Sequence, residues 1–396
     1  MRRAFLAGAT LVAPDRIVSG QTLVIEDRRI ADITAGPRAV GEGERHVDLT
    51  GLTIVPGFID VHIHGVAGID VLDGRGAVAN VAARLPRWGV TAFCPTSVAC
   101  PPDVLTTFLE DVRTARSVAA ERAARVLPAH LESNFISSEY CGAQPVEYVR
   151  TLSRSEAQPF SGEEILDVII RHRADVGIVT LAPEIEGGLD LVRRFVSEGI
   201  RVSLGHSAAS FDQAQEAIIS GASQATHLFN RMRPMAHRDP GLAGAALASE
   251  EVAAEIIIDG RHVHPAIVRV ALAAKSSARV MAISDGTAGS GLPPGSRAAL
   301  GGRPITVHEV ARLDDGTIAG SVATMDRVFA TLVTACDLDL VRASELCSTT
   351  PARELGLFGF GVLTPGAVAD LAILNDRLEV VQTWIDGEPA FRSSEI

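Results

Sequence analysis

The sequence predicts an α/β protein: a (β/α)8 TIM-type barrel with a small β-sandwich domain formed by both termini. Three observations point there. Apolar β-like runs alternate with helical segments through the middle of the chain, both ends carry short strands without a helical period, and residues able to bind metal recur where the runs end. At 396 residues the chain can hold one large domain beside a small one. The division is expected to give 1–53 and 360–396 to the sandwich and 54–359 to the barrel.

The N-terminal part reads as strands over 9–12, 21–26, 29–33 and 45–49. Its opening segment faintly resembles a signal peptide. However, Gly8 breaks the apolar part, Pro14-Asp15 stops it, and a second strand-like run follows over 22–25. A β-hairpin is therefore expected rather than an export signal. The barrel strands are expected over 53–64, 90–95, 125–132, 176–181, 201–205, 224–228, 254–258 and 280–284. Helices rich in Ala, Leu, Glu and Arg are expected over 78–88, 102–120, 162–173 and 187–198. A doubly wound open sheet competes, but no Gly-rich phosphate fingerprint follows the first strand. Segment 286–303 carries six glycines and two adjacent prolines, too irregular for a helix, and is expected to drape over the site as a lid. The chain closes with strands over 370–374 and 380–385 and a turn at Asp386-Gly387.

Composition narrows the function. Hydrophobic residues at 47% and charged residues at 21% are ordinary for a globular enzyme. A net charge of −12 without any Lys/Arg cluster argues against a nucleic-acid groove. No apolar run reaches the length of about 18 residues that a membrane span needs. Cys94, Cys100, Cys141, Cys336 and Cys347 form no C-x-x-C pair, and free thiols in a reducing cytosol are the simplest reading.

The most informative stretch is Ile54-Val-Pro-Gly-Phe-Ile-Asp-Val-His-Ile-His-Gly65. Strand side chains alternate faces, so His62 and His64 point the same way and make half of a metal site. The bland alternative is a pair of half-buried polar histidines. Other run ends decide against it: Glu132 closes the third, His206 the fifth, His227 the sixth and Asp285 the last. In a (β/α)8 barrel these ends share one rim, where chemistry occurs. Imidazole with carboxylate suits zinc, iron, manganese or cobalt, and the lack of cysteine ligands argues for an open, catalytic site. Six ligands exceed one tetrahedral ion, whereas two ions bridged by Glu132 would use them. A bound ion brings the pKa of water from 15.7 towards about 7. Asp285 would then act as general base and afterwards as the acid that protonates the leaving group. Hydrolysis of an amide or similar bond is what these parts can perform.

At these residues the chain resembles the N-acetylglucosamine-6-phosphate deacetylase family of the amidohydrolase superfamily over essentially its full length. The matching motifs are Pro56-Gly-Phe-Ile-Asp-Val-His-Ile-His-Gly65, His130-Leu-Glu132, Gly205-His-Ser207, Thr226-His-Leu-Phe-Asn230 and Asp259-Gly-Arg-His262. The resemblance implies one ion on Glu132, His206 and His227, a second on His62 and His64, and Asp285 as the proton shuttle. It implies sugar-phosphate contacts from Asn230, Arg231, Arg238 and His262, with Arg238 reaching a neighbouring subunit's site in a homodimer. Arg238 by itself reads as a solvated loop charge, and His262 and His264 as polar strand ends. Three departures bear on the substrate. Ser133 and Asn134 replace the family's Gly-Pro after the glutamate, Gln144 stands where a histidine polarises the acetyl carbonyl, and Arg231 stands where alanine is common. An amide N–H can donate to that carbonyl but carries no charge. Ser284-Asp285-Gly286 replaces the commoner T-D-A and keeps the acid. Gly320-Ser321 and Met325 resemble a substrate-side G-S-x-x-x-M loop, or equally a helix start with a core methionine. A related amidohydrolase substrate (a phosphosugar epimer or an N-acyl amino acid) and a non-catalytic binding protein are the alternatives. The latter would have lost ligands, and none is missing.

Overall fold

The computed structural model describes residues 3–36, 41, 44–118, 120–153 and 158–394. Met1 and Arg2 of the expected hairpin, and position 119 of the expected helix 102–120, lie outside them. Eight parallel strands run β1 Phe58–Ile63, β2 Val90–Ser97, β3 Ala129–Glu132, β4 Val176–Leu181, β5 Arg201–Leu204, β6 Gln224–Ala225, β7 Ala253–Ile257 and β8 Val280–Ile283. Each pairs in parallel with the next, from β1 to β8. The ring closes where β8 returns to β1: Ile63 bridges Gly286, and the Asp285 N–H donates to the His62 carbonyl at 3.0 Å.

Helices α1 Ala77–Arg84, α2 Pro102–Ser117, α3 Gly162–Arg171, α4 Gly188–Ser197, α5 Phe211–Ile219, α6 Gly241–Ala248, α7 Pro265–Ala274 and α8 Met325–Thr334 follow the strands in turn. Each of the predicted ones buries the stripe its spacing marks, such as Leu105, Phe108, Leu109 and Val112 on α2. Ser161 with Glu164, and Ser210 with Gln213, form capping boxes that satisfy the first N–H groups of α3 and α5. His264 is neither a ligand nor a bare strand end. Its side chain caps α7 by accepting the Ala266 N–H at 3.2 Å.

The two ends meet in one eight-stranded mixed sheet. Its order is Glu388–Arg392, Val380–Ile385, Leu371–Leu374, Thr53–Pro56, Arg3–Val12, Ile17–Glu26, Arg29–Ala35, with Arg45–Asp48 beside Arg3–Val12. The expected hairpin is its first antiparallel pair. This sheet has its own core, including Leu6, Leu23, Ile54, Ile373 and Trp384, separate from that of the barrel.

Two expected strands are interrupted. The run 53–64 breaks at Gly57, so Thr53–Pro56 belongs to the terminal sheet and Phe58–Ile63 to the barrel. A Cβ at Gly57 would lie 2.3 Å from the Thr91 side chain, so only glycine permits the crossing. The run 125–132 breaks before Ala129, leaving Arg125–Val126 as a separate short strand. The expected irregular lid over 286–303 is corrected in its second half. Residues 286–290 are buried turns, and Arg297–Leu300 opens a three-stranded antiparallel sheet with Arg303–Val307 and Ala311–Leu313. Apolar Leu300, Ile305, Ala311 and Leu313 gave that sheet a core of its own that glycine content concealed.

Candidate metal centre and active site

The six residues singled out at the run ends converge on one point at the C-terminal rim, and none is more than 7% exposed. Glu132 Oε1 lies 2.8 Å from Nε2 of both His206 and His227, whose Nε2 atoms are 3.1 Å apart. His62 Nε2 and His64 Nε2 are 3.3 Å apart. They lie 3.4 and 3.3 Å from Asp285 Oδ1, and 3.8 and 3.6 Å from the two oxygens of Glu132. Glu132 therefore stands between the two pairs of imidazoles.

The backbone pays attention to this point. His206, His227 and Asp285 adopt φ of 48, 30 and 46°, the left-handed region that non-glycine residues seldom occupy. Main-chain bonds hold them there: Ser137 N–H to the His206 carbonyl and Ser321 N–H to the Asp285 carbonyl, both at 2.9 Å. Gly320 permits the second of these. At its φ of 76° a Cβ would come within 3.0 Å of the Asp285 carbonyl oxygen.

Hydrogen bonds behind the rings fix which nitrogen faces inward. His64 Nδ1 is 3.0 Å from the Thr96 carbonyl and His206 Nδ1 is 2.8 Å from the Tyr140 carbonyl. A carbonyl only accepts, so both rings donate from Nδ1 and present an Nε2 lone pair. His62 Nδ1 faces Glu255 Oε2 at 3.0 Å. Inward lone pairs this close to one another and to two carboxylates are what a cation would satisfy. Two groups thus could hold metal ions, His62–His64–Glu132 and Glu132–His206–His227. Electrostatics agree. Burial raises the Glu132 carboxyl, but His206 and His227 outweigh it and hold the group well below its ordinary value. Burial likewise opposes the charge of Asp285, and the hydrogen bond and charge of His64 with that of His62 bring it below the usual range. Burial, with the neighbouring His64 and His227, outweighs Asp285 and Glu132 and takes His62 down to about 4.

A cavity of about 350 Å³ opens over this point. His64, Glu132, Gln144, His206, His227 and Asp285 line it together with Asn230, Arg231 and His262. Gln144 donates its amide to Glu132, and its Oε1 accepts the Ala99 N–H at 2.7 Å. The Asn230 amide turns back to the His227 carbonyl at 3.2 Å. The Arg231 side chain lies over Gly142, where a Cβ would come within 2.5 Å of its Nε. His262, which lines the cavity, has its Nδ1 held at 2.6 Å by Asp259 Oδ2. Arg238 is the exception: it is exposed and does not line the cavity. A larger cleft of about 840 Å³ lies against the terminal sheet, but its Arg3, Arg28 and Arg45 are paired with Glu26, Asp386 and Glu388.

Ser133 and Asn134 serve the scaffold: Ser133 Oγ donates to the Thr180 carbonyl at 2.7 Å and Asn134 Nδ2 to the Cys100 and Tyr148 carbonyls. Gly320 lines the cavity, whereas Met325 begins α8 in the core. Asp60 and Glu255 had not been singled out by the sequence. Asp60 accepts from the Ser284 hydroxyl and backbone, tying β1 to the end of β8. Each is a carboxylate inside a mostly apolar strand, and that was the available signal.

The amidohydrolase family pattern matches residues 53–390. The chain is 37% identical over 367 residues to N-acetylglucosamine-6-phosphate deacetylase of Danio rerio, covering 89% of this chain and 88% of that one. It is 33% identical over 388 residues to N-acetylgalactosamine-6-phosphate deacetylase of Escherichia coli O157:H7, covering 97% and 98%. A solved structure of mutant N-acetyl-D-glucosamine-6-phosphate deacetylase from Mycobacterium smegmatis, in complex with N-acetyl-D-glucosamine-6-phosphate, is similar at a TM-score of 0.87. Its sequence is 32% identical, with 98% of this chain and 100% of that chain covered.

Proposed function

The chain belongs to the amidohydrolase family, and from that membership we propose that it is a metal-dependent amide hydrolase that deacetylates N-acetylglucosamine 6-phosphate. The products are glucosamine 6-phosphate and acetate. One observation carries the reading: His64, His206, His227, Glu132 and Asp285 line the same cavity as Arg231 and His262, with His62 buried behind them. The histidines and carboxylates are suited to splitting an amide, and Arg231 and His262 to a phosphate.

Glu132, His206 and His227 would hold one divalent ion, and His62 and His64 a second, with zinc preferred over iron, manganese or cobalt. Such ions supply acidity to water and polarise a carbonyl. Asp285, kept ionised by its histidine neighbours, takes a proton from the attacking water and delivers it to the departing nitrogen. Gln144 has one amide N–H on Glu132 and directs the other at the acetyl oxygen. Asn230, Arg231 and His262 bind the sugar phosphate, Arg231 through its guanidinium and His262 through the Nε2 that Asp259 leaves free. The exposure of Arg238 supports its serving the neighbouring subunit of a homodimer. Five free cysteines support a cytoplasmic location. The terminal sheet's own core supports a division close to the expected 1–53 with 360–396 and 54–359, with Thr53–Pro56 on the sheet's side of it. Among the described residues, no helix is long and apolar enough to cross a membrane.

Metal analysis of the purified protein followed by acetate release tests the proposal. N-Acetylglucosamine 6-phosphate is expected to react faster than its galactose epimer and much faster than the unphosphorylated sugar. A preference for the epimer would shift the assignment to the activity in the name of the Escherichia coli relative. Activity on an N-acyl amino acid alone would remove the phosphosugar. A second measurement concerns Gln144→His. One ring nitrogen could accept the Ala99 N–H while the other donates, so kcat is expected to be retained or to rise. A collapse of kcat would mean the site is built around the amide.

A further inference from the structure

Glu255 lies under the metal centre on β7, fully buried in the run Ala-Ala-Glu-Ile-Ile. A buried carboxylate is costly unless it is used, and here the use falls on one oxygen: Oε1 has no hydrogen-bond partner, whereas Oε2 does. Its Oε2 takes the His62 Nδ1 at 3.0 Å and lies 3.4 Å from the backbone N of His227. Its own carbonyl accepts the Leu228 N–H at 2.7 Å. One residue therefore touches a member of each ligand group, His62 of the first and His227 of the second.

His62, His130 and Glu255 also lie close enough together to suggest a third ion position. Hydrogen-bond direction argues against it. His130 donates Nδ1–H to the Val61 carbonyl at 3.0 Å, so its Nε2 accepts from the Thr180 hydroxyl at 2.7 Å. Neither ring nitrogen keeps a free lone pair for an ion. This cluster supports the ligands and is not itself a site.

We infer that Glu255 is a positioning residue. By accepting the Nδ1 proton of His62 it fixes the tautomer whose Nε2 lone pair meets that of His64, and so makes the ion position at His62 and His64 a tight one. A carboxylate behind a ligating imidazole fixes the ring and raises its basicity. The inference rests on the metal-dependent reading above and concerns only one of its two ion positions.

The test is calorimetric titration of chelator-stripped, full-length protein with Zn²⁺. Wild type is expected to take up two ions. Glu255→Ala is expected to weaken one of them about 10–100-fold and leave the other unchanged. Glu255→Gln, which retains an acceptor oxygen without the charge, should fall between. Adding Glu255→Ala to His62→Ala should cost nothing more. Melts of the metal-free proteins report folding separately, and if the alanine variant is unfolded the glutamine variant carries the comparison. Wild-type affinity for both ions in the glutamine and alanine variants would overturn the inference. Equal weakening of both ions would also do so, by reducing Glu255 to a structural role. A wild type binding a single ion that His62→Ala retains overturns it while leaving the deacetylase reading intact. No bound ion and no acetate release would sink that reading itself.

Discussion

Asp285→Asn is expected to lower deacetylation about 10²–10⁴-fold, the range for loss of a general acid–base, while the bound ions remain. The substitution isolates chemistry from folding. Asp285 has a φ of 46°, and asparagine tolerates that region better than other side chains. The two bonds that hold its backbone, to the His62 carbonyl and from the Ser321 N–H, do not involve the side chain. The amide can still face His62 and His64, 3.4 and 3.3 Å away in the parent, but it cannot take a proton from water. Acetate release measured beside metal content checks this. Turnover within a few-fold of wild type would remove Asp285 as the proton shuttle.

The parts of this site legible in the sequence share a cause. In a parallel barrel every strand ends on the same rim, so a ligand at the end of a recognised run needs no further information to be placed. His62, His64, Glu132, His206, His227 and Asp285 all qualified, and all six meet. The alternation of a strand put His62 and His64 on one side, and their Nε2 atoms are indeed 3.3 Å apart.

What stayed hidden depends on partners distant in sequence. Nothing local tells that Glu255 meets a histidine 193 positions earlier, or that Asp60 meets Ser284 across the barrel seam. The break at Gly57 was invisible for a similar reason: an apolar run looks continuous until Thr91 of the neighbouring strand is in place. The sheet that begins at Arg297 was misread because glycine and proline counts describe the turns, whereas its core residues are few and spread over 300–313. Arg238 was assigned through resemblance alone, and within one chain it has no place at the cavity.

Glu132→Gln is expected to have the other large effect, on ion binding and activity together. Glu132 Oε1 lies 2.8 Å from two imidazole nitrogens, and Gln144 donates to the second oxygen. The substituted amide has no net charge and only one accepting oxygen, so it would hold a cation beside His206 and His227 far more weakly than the carboxylate. Loss of an outer-sphere partner weakens an ion about 10–100-fold, and loss of a direct ligand should exceed that. Stability provides an independent readout. A ligand present at 100 times its Kd stabilises the folded state by about 2.7 kcal/mol, so chelation should lower the melting temperature of the wild type. Glu132→Gln, already without ions, should melt at one temperature with or without chelator. If the variant keeps its ions and a chelator-sensitive melt, Glu132 does not hold them, and the role given to His206 and His227 beside it falls as well.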